Sequence, residues 1–222
     1  GSKGSLIAIA SSSSSVFTLN NSSAAPASYV NVSHCVAGSS GITATNSIDG
    51  SGDNTHWTFG TIDWTGTTSI ATNVGDNWAT GVVPGSNDSV SIPATSTAPN
   101  QPIQTADLSL KTLTLATATS SWNTQGYALT IAGALSNAGT FTYTYGGTGG
   151  LTLGSATMNA GSAFVYAGGA ALSMLSGLTS YVNLTVSNSA GVAATGGVTV
   201  SGTTTISGGG KLTVPSSVTL AA

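Results

Sequence analysis

Leu108-Ser109-Leu110-Lys111-Thr112-Leu113-Thr114-Leu115, followed by Leu129-Thr130-Ile131-Ala132-Gly133-Ala134-Leu135-Ser136-Asn137, decides how the whole chain is read. Apolar residues alternate with Ser and Thr at a period of two, the mark of a strand with one inward face. The couplets resume at Leu151 and Leu153, Leu184 and Val186, Val198 and Val200, Ile206, Leu212 and Val214, and Val218 and Leu220. Turns rich in Gly or Asn, such as Asn137-Ala138-Gly139 and Ser207-Gly208-Gly209-Gly210, punctuate them. Each strand is expected to be three to five residues long.

Strands this short, with no helices between them, fit either a β-sandwich of hairpins or a parallel β-solenoid. Hairpins favour two-residue Asn-Gly or Asp-Gly turns, and Asp49-Gly50 is the one such pair in the sequence. A solenoid asks only for an apolar pair per strand and small residues at its corners. The expected fold is therefore all-β, a right-handed parallel β-helix, with the β-sandwich as the alternative. At about 20–25 residues per coil the chain makes about ten coils.

Upstream the runs Leu6-Ile7-Ala8-Ile9, Val16-Phe17-Thr18-Leu19, Tyr29-Val30-Asn31-Val32 and Ile42-Thr43-Ala44-Thr45 carry the same pattern, separated by Ser, Asn, Ala and Pro. The aromatic close Trp57-Thr58-Phe59-Gly60 suggests a boundary. Residues 1–60 are expected to form the closing coils of one β-helical module and residues 61–222 a second module. The opening of the second, 61–107, is read as loops with one short strand.

The composition narrows the function more than it names one. Three lysines, six aspartates and no Arg or Glu give a net charge of −3 over 222 residues, and 30 residues are Gly. Helix-forming residues are scarce, so strand is favoured throughout. A hydrophobic fraction of 40% provides for a core, and disorder would need low hydrophobicity with high net charge. Three scattered lysines cannot neutralise a run of phosphates, which argues against nucleic acid. The most apolar stretch, Gly168 to Leu178, is too short for a membrane span and contains Ser173 and Ser176. Cys35 has no second cysteine to bond with and reads as a small apolar core residue. No secretory signal pattern opens the chain, and the expectation is a processed or excised piece of a longer precursor.

Two stretches carry a resemblance. Val30-Asn31-Val32-Ser33-His34-Cys35 with Ala44 to Phe59 resembles the closing coils of right-handed β-helix domains in large secreted bacterial surface proteins. Asn77-Trp78, Gly81-Val82-Val83-Pro84-Gly85 and Asn87 to Pro93 look like the opening of a further module in the same adhesin-like proteins, and Leu129 to Phe141 continues the likeness. The resemblance implies a fold, an extracellular or cell-surface location and membership of a longer protein.

Pectin-lyase-like β-helices are often polysaccharide lyases or hydrolases, which need a carboxylate pair or a base with cationic support. Without Arg or Glu, any pair must come from Asp49, Asp53, Asp63, Asp76, Asp88 and Asp107, most of them in turn-like sequence. No catalytic residue and no cofactor is expected. Asp49, Ser51, Asp53 and Asn54 faintly suggest a calcium loop, but no later bidentate Glu follows, so Asp49 and Asp53 are weak metal candidates and an Asx turn is the plainer reading. His34, Cys35 and His56 match no zinc spacing. Thr112 to Thr119 and Thr140 to Thr144 suggest hydroxyl ladders, though irregular coil lengths argue against an ice-binding face.

Four tryptophans, Trp57, Trp64, Trp78 and Trp122, read first as filling corners of the solenoid; on the alternative, a platform for sugars, Trp78 and Trp122 would be the glycan contacts. The expected function is a non-enzymatic structural or adhesive extracellular module. The alternatives are a carbohydrate-binding module and, less favoured, a polysaccharide-active enzyme. The C-terminal stretch Lys211 to Ala222 carries one charge and no amphipathic cap, so homo-oligomers or filaments through the solenoid ends are the expected partners.

Overall fold

The computed structural model describes residues 1–215 and 220–221. Val218, read above as half of a strand couplet, and the remainder of Ser216 to Thr219 with Ala222 lie outside the described residues. The chain is all-β, with parallel strands stacked as a β-solenoid of about ten turns. Every strand-to-strand pairing among the described residues is parallel. Parallel neighbours cannot be joined by tight hairpins, and this excludes the sandwich.

Three ladders form the faces of the first coils. Ile7–Ala10, Val30–Ser33 and Ile48–Asp49 make one; Phe17–Leu19 and Cys35–Ala37 the second; Ala25–Ser28, Ile42–Thr45 and Trp57–Phe59 the third. The sequence around Pro26 reads as a spacer, yet Ala25–Ser28 is a strand. It pairs on one side only, with Ile42–Thr45, and an edge position tolerates the missing N–H of proline.

Downstream the coil length settles. Thr140 pairs with Ala163, Ala163 with Asn183 and Leu184 with Thr204, near the expected spacing. One face runs without interruption through Ser121–Asn123, Thr140–Tyr145, Ala163–Gly168, Asn183–Val186 and Thr204–Ile206. Its inward column stacks Trp122, Phe141, Phe164 and Leu184, all buried, with the two phenyl rings 5.3 Å apart and nearly parallel. Like thus sits on like from coil to coil, and burying each such side chain contributes about 1.5–3 kcal/mol.

The other two faces are joined where the chain turns a corner without breaking strand. Leu129–Asn137 and Leu151–Met158 run nine and eight residues, longer than expected, because each bends across two faces. Their register shifts between Ile131 and Ala134, at Gly133 and Gly154. A Cβ on Gly154 would collide with the Ala132 carbonyl oxygen of the coil beneath, so only glycine fits this corner.

At the next coil these two faces separate. Leu151–Met158 pairs with Leu129–Asn137 but with no strand on its far side; the ladders resume as Leu172–Ser173 with Val192–Ala193, and as Ser180–Tyr181 with Val198–Val200. Cavities of about 500 and 590 Å³ lie along this seam, walled by Met158, Leu178 and Tyr181 on one face and by Leu151, Tyr143 and Leu172 on the other.

The apolar interior forms two clusters. One gathers Val30, Val32, Cys35, Ile42, Ala44 and Trp57; the other runs from Ile62 to Val200 and also takes in Ile48. Segment 61–107 holds two strands, Ile62–Asp63 and Ser89–Ile92, where one was expected, and one 3-10 turn at Gly75–Asn77. No helix among the described residues is long and apolar enough to cross a membrane.

Candidate functional site

The carboxylates of Asp49 and Asp53 are engaged by neighbouring side chains and amides. Asp49 Oδ1 accepts hydrogen bonds from the Gly52 amide at 2.9 Å and from Asn54 Nδ2 at 2.6 Å, the Asx-type turn that the Asp-Gly sequence suggests. Asp53 accepts from the Ser51 hydroxyl and lies 2.7 Å from His34 Nδ1; these two partners, the hydroxyl foremost, hold its pKa below the ordinary value. Among the described residues no three His, Cys, Asp or Glu side chains gather as metal ligands would.

Asp88 is the buried carboxylate. Its Oδ1 accepts from the Asp49 amide at 3.0 Å and its Oδ2 from the Gly85 amide at 2.8 Å, while burial pushes its pKa up against the pull of those bonds. Beside it, Asn87 Nδ2 donates to the Asp49 carbonyl at 3.1 Å. The two side chains clasp the main chain of Asp49 as a neighbouring strand would. The adjoining Ser89–Ile92 then pairs with Ile62–Asp63 through main-chain bonds. Asp63 is exposed, though the atoms crowded around its carboxyl partly desolvate it and raise its pKa.

The two tryptophans offered as glycan contacts under the sugar-platform alternative do not face solvent. Trp78 and Trp122 are 0% and 1% exposed, so neither offers a ring face to a sugar, and that assignment is corrected. Trp78 packs edge-on against Trp64 with ring centres 4.8 Å apart and donates to the Thr72 carbonyl at 2.9 Å, closing the loop-rich opening from inside. Trp64 donates to the Asn100 carbonyl. Trp122 belongs to the phenyl column, and its indole nitrogen has no partner.

Trp57 differs from these three. It is 9% exposed, its Nε1 also has no partner, and it lies 6.0 Å from Phe59 in a stacked pair. It lines a cavity of about 320 Å³ where the first cluster meets the first coil of the second, together with Asp49, Asn54, Asn87, Ser89 and Lys111. The sequence pattern groups Trp57 with the other tryptophans and offers Asp49 as a weak metal candidate. It holds no signal that joins Asn87 and Lys111 to them, because the register that brings residues 49, 57, 87 and 111 together is set by coils of unequal length.

Fold and geometry define a parallel β-solenoid with a polar cavity at the meeting of its two apolar clusters. No protein-family model matches the chain, and no curated protein and no solved structure matches it.

Proposed function

We propose that this chain is a non-enzymatic structural and adhesive module of an extracellular or cell-surface protein, resembling adhesin-like β-helices, which assembles end to end by continuing its β-ladder into another copy. The observation that carries the reading is a pair of columns. Val30 is 5% exposed, but Ile7, one rung outward in the same column, is 55% exposed; Val186 is fully buried, but its outward partner Ile206 is 54% exposed. In each column the apolar stack runs on to the last described rung, and among the described residues no strand pairs beyond it.

Unpaired strand edges invite pairing with another chain, and proteins blunt them with charge, proline or a covering segment. Lys3 and Lys211 are the charges near the two edges, and net charge is too small to hold copies apart. The shortage of acid–base groups supports a non-enzymatic role. The test is sedimentation velocity with electron microscopy over a range of concentrations. End-to-end association, reduced in Ile7→Lys and Ile206→Lys, is expected. A monodisperse monomer at the highest concentration would overturn the proposal.

A further inference from the structure

We propose that the cavity between the two apolar clusters binds a neutral saccharide unit. This gives the adhesive half of the reading above a ligand and rests on that half alone.

The chemistry of the walls selects the ligand class. Asn87 is oriented by its Nδ2 bond to the Asp49 carbonyl, which leaves Oδ1 as an acceptor. Asp49 Oδ1 is held by Gly52 and Asn54, so its carboxylate is fixed in place at the cavity. Lys111 is exposed and brings an ammonium donor; Ser89 brings a hydroxyl that both donates and accepts. Trp57 is nine-tenths buried and carries an indole N–H with no protein partner. That nitrogen is itself covered, so at the cavity wall the indole offers ring surface and not its N–H.

Other ligand classes fit less well. A metal cation would meet Lys111, and no cluster of three ligating side chains forms among the described residues. An anion would meet Asp49, with the carboxylate of Asp88 close behind it. An apolar ligand would leave carboxylate, amide and ammonium unpaired. Sugar hydroxyls each donate and accept, which matches walls of mixed donors and acceptors, and Phe59 with Trp57 adds an apolar wall for the ring carbons. At about 320 Å³ the cavity is at the small end of ligand sites. It suits one ring of a glycan, with the rest of the chain outside.

The experiment is a screen of the intact protein against an array of neutral and charged glycans, followed by titration calorimetry of the best neutral one at a concentration where sedimentation shows monomer. Expected is binding of a neutral glycan, weakened at least tenfold in both Asn87→Ala and Lys111→Met and unchanged in Thr95→Ala, with circular dichroism confirming that all three variants fold. No binding to any neutral glycan, or binding unchanged in both cavity variants, would overturn the site. The two proposals fail separately: assembly without sugar binding removes the site alone, and sugar binding by a strict monomer removes the end-to-end reading alone.

Discussion

The hydroxyls of Tyr166 and Tyr181 meet at 2.7 Å inside the solenoid, and the Tyr166 hydroxyl also accepts from the Leu175 amide at 3.2 Å. Tyr166 stands on the uninterrupted face, while Leu175 lies in the loop that follows the seam. One phenol thus fastens the coil beyond the seam to the continuous ladder. Tyr166→Phe strands both the Leu175 amide and the Tyr181 hydroxyl, whereas Tyr181→Phe removes one bond of Tyr166 and leaves the Leu175 bond intact. An unsatisfied buried group costs about 1–3 kcal/mol. Urea unfolding should find Tyr166→Phe the more destabilising by at least about 1 kcal/mol, and the double variant less than additive. Equal losses would show that the Leu175 bond contributes nothing.

Alkaline pH should act on the same pair. Burial is the first cause raising both pKa values from 10.0; Tyr166 is pushed up to about 12 and Tyr181 is raised further by its neighbour. Below pH 10 both phenols are neutral, folded or unfolded, and contribute no pH dependence. Above it the unfolded chain releases protons that the folded chain retains, so stability falls as pH rises from 10 towards 12. For Tyr166 alone the loss approaches roughly 3 kcal/mol. Tyrosinate absorbance should show these two phenols ionising with unfolding rather than before it, and Tyr166→Phe should flatten the alkaline limb. An unchanged limb would mean that Tyr166 titrates as an exposed phenol.

The Gly154 corner makes a sharper claim about packing. An added methyl would strike the Ala132 carbonyl, whereas at Gly146 a Cβ meets nothing within 4 Å. Gly154→Ala should cost about 1–3 kcal/mol by overpacking. Gly146→Ala should be near neutral, since surface changes usually fall within about 0.5 kcal/mol. Thermal unfolding of the pair checks it, and similar midpoints would mean that the corner is slack.

Sequence pattern reaches the architecture because the architecture is periodic. Leu108, Leu129 and Leu151 are read as couplets before any register is known, and they stack as one column. Pro26 misleads because a residue without an N–H is forbidden only where that N–H is needed, and edge position is a property of the stack. The seam is invisible for a related reason: Leu172-Ser173 has the same apolar-polar form as couplets that do pair across their neighbours. Trp78 and Trp57 are alike in sequence, yet one finds the Thr72 carbonyl and the other finds no partner. That difference depends on which loop closes over each ring. The cavity is least legible of all, since Asp49 and Asn87 are 38 positions apart and no pattern in the sequence links the two.

Trp78 should behave as a core residue. Truncating a buried tryptophan costs about 3–5 kcal/mol, and Trp78→Ala also strands the Thr72 carbonyl and unpacks Trp64. The expected readout is a large drop in the urea midpoint. A variant as stable as the parent would place this indole outside the core.

The seam predicts an alternating pattern of amide exchange within one strand. In a parallel ladder successive residues turn their N–H and C=O to opposite neighbours. Leu129 donates to the Gly150 carbonyl, so Gly150 and Thr152 face the paired side while Leu151 and Leu153 face the seam. Asn159 donates to the Asn137 carbonyl, which by the same alternation turns Thr157 to the paired side and Ala156 to the seam. Amide exchange by NMR should find Thr152 and Thr157 protected and Leu153 and Ala156 exchanging faster by orders of magnitude. On the continuous face Phe164 and Val165 are flanked by strands on both sides, so both should be slow. Protection of Leu153 and Ala156 equal to that of Thr152 and Thr157 would mean that the two coils close their ladder in solution, and the seam would then be no feature of the folded protein.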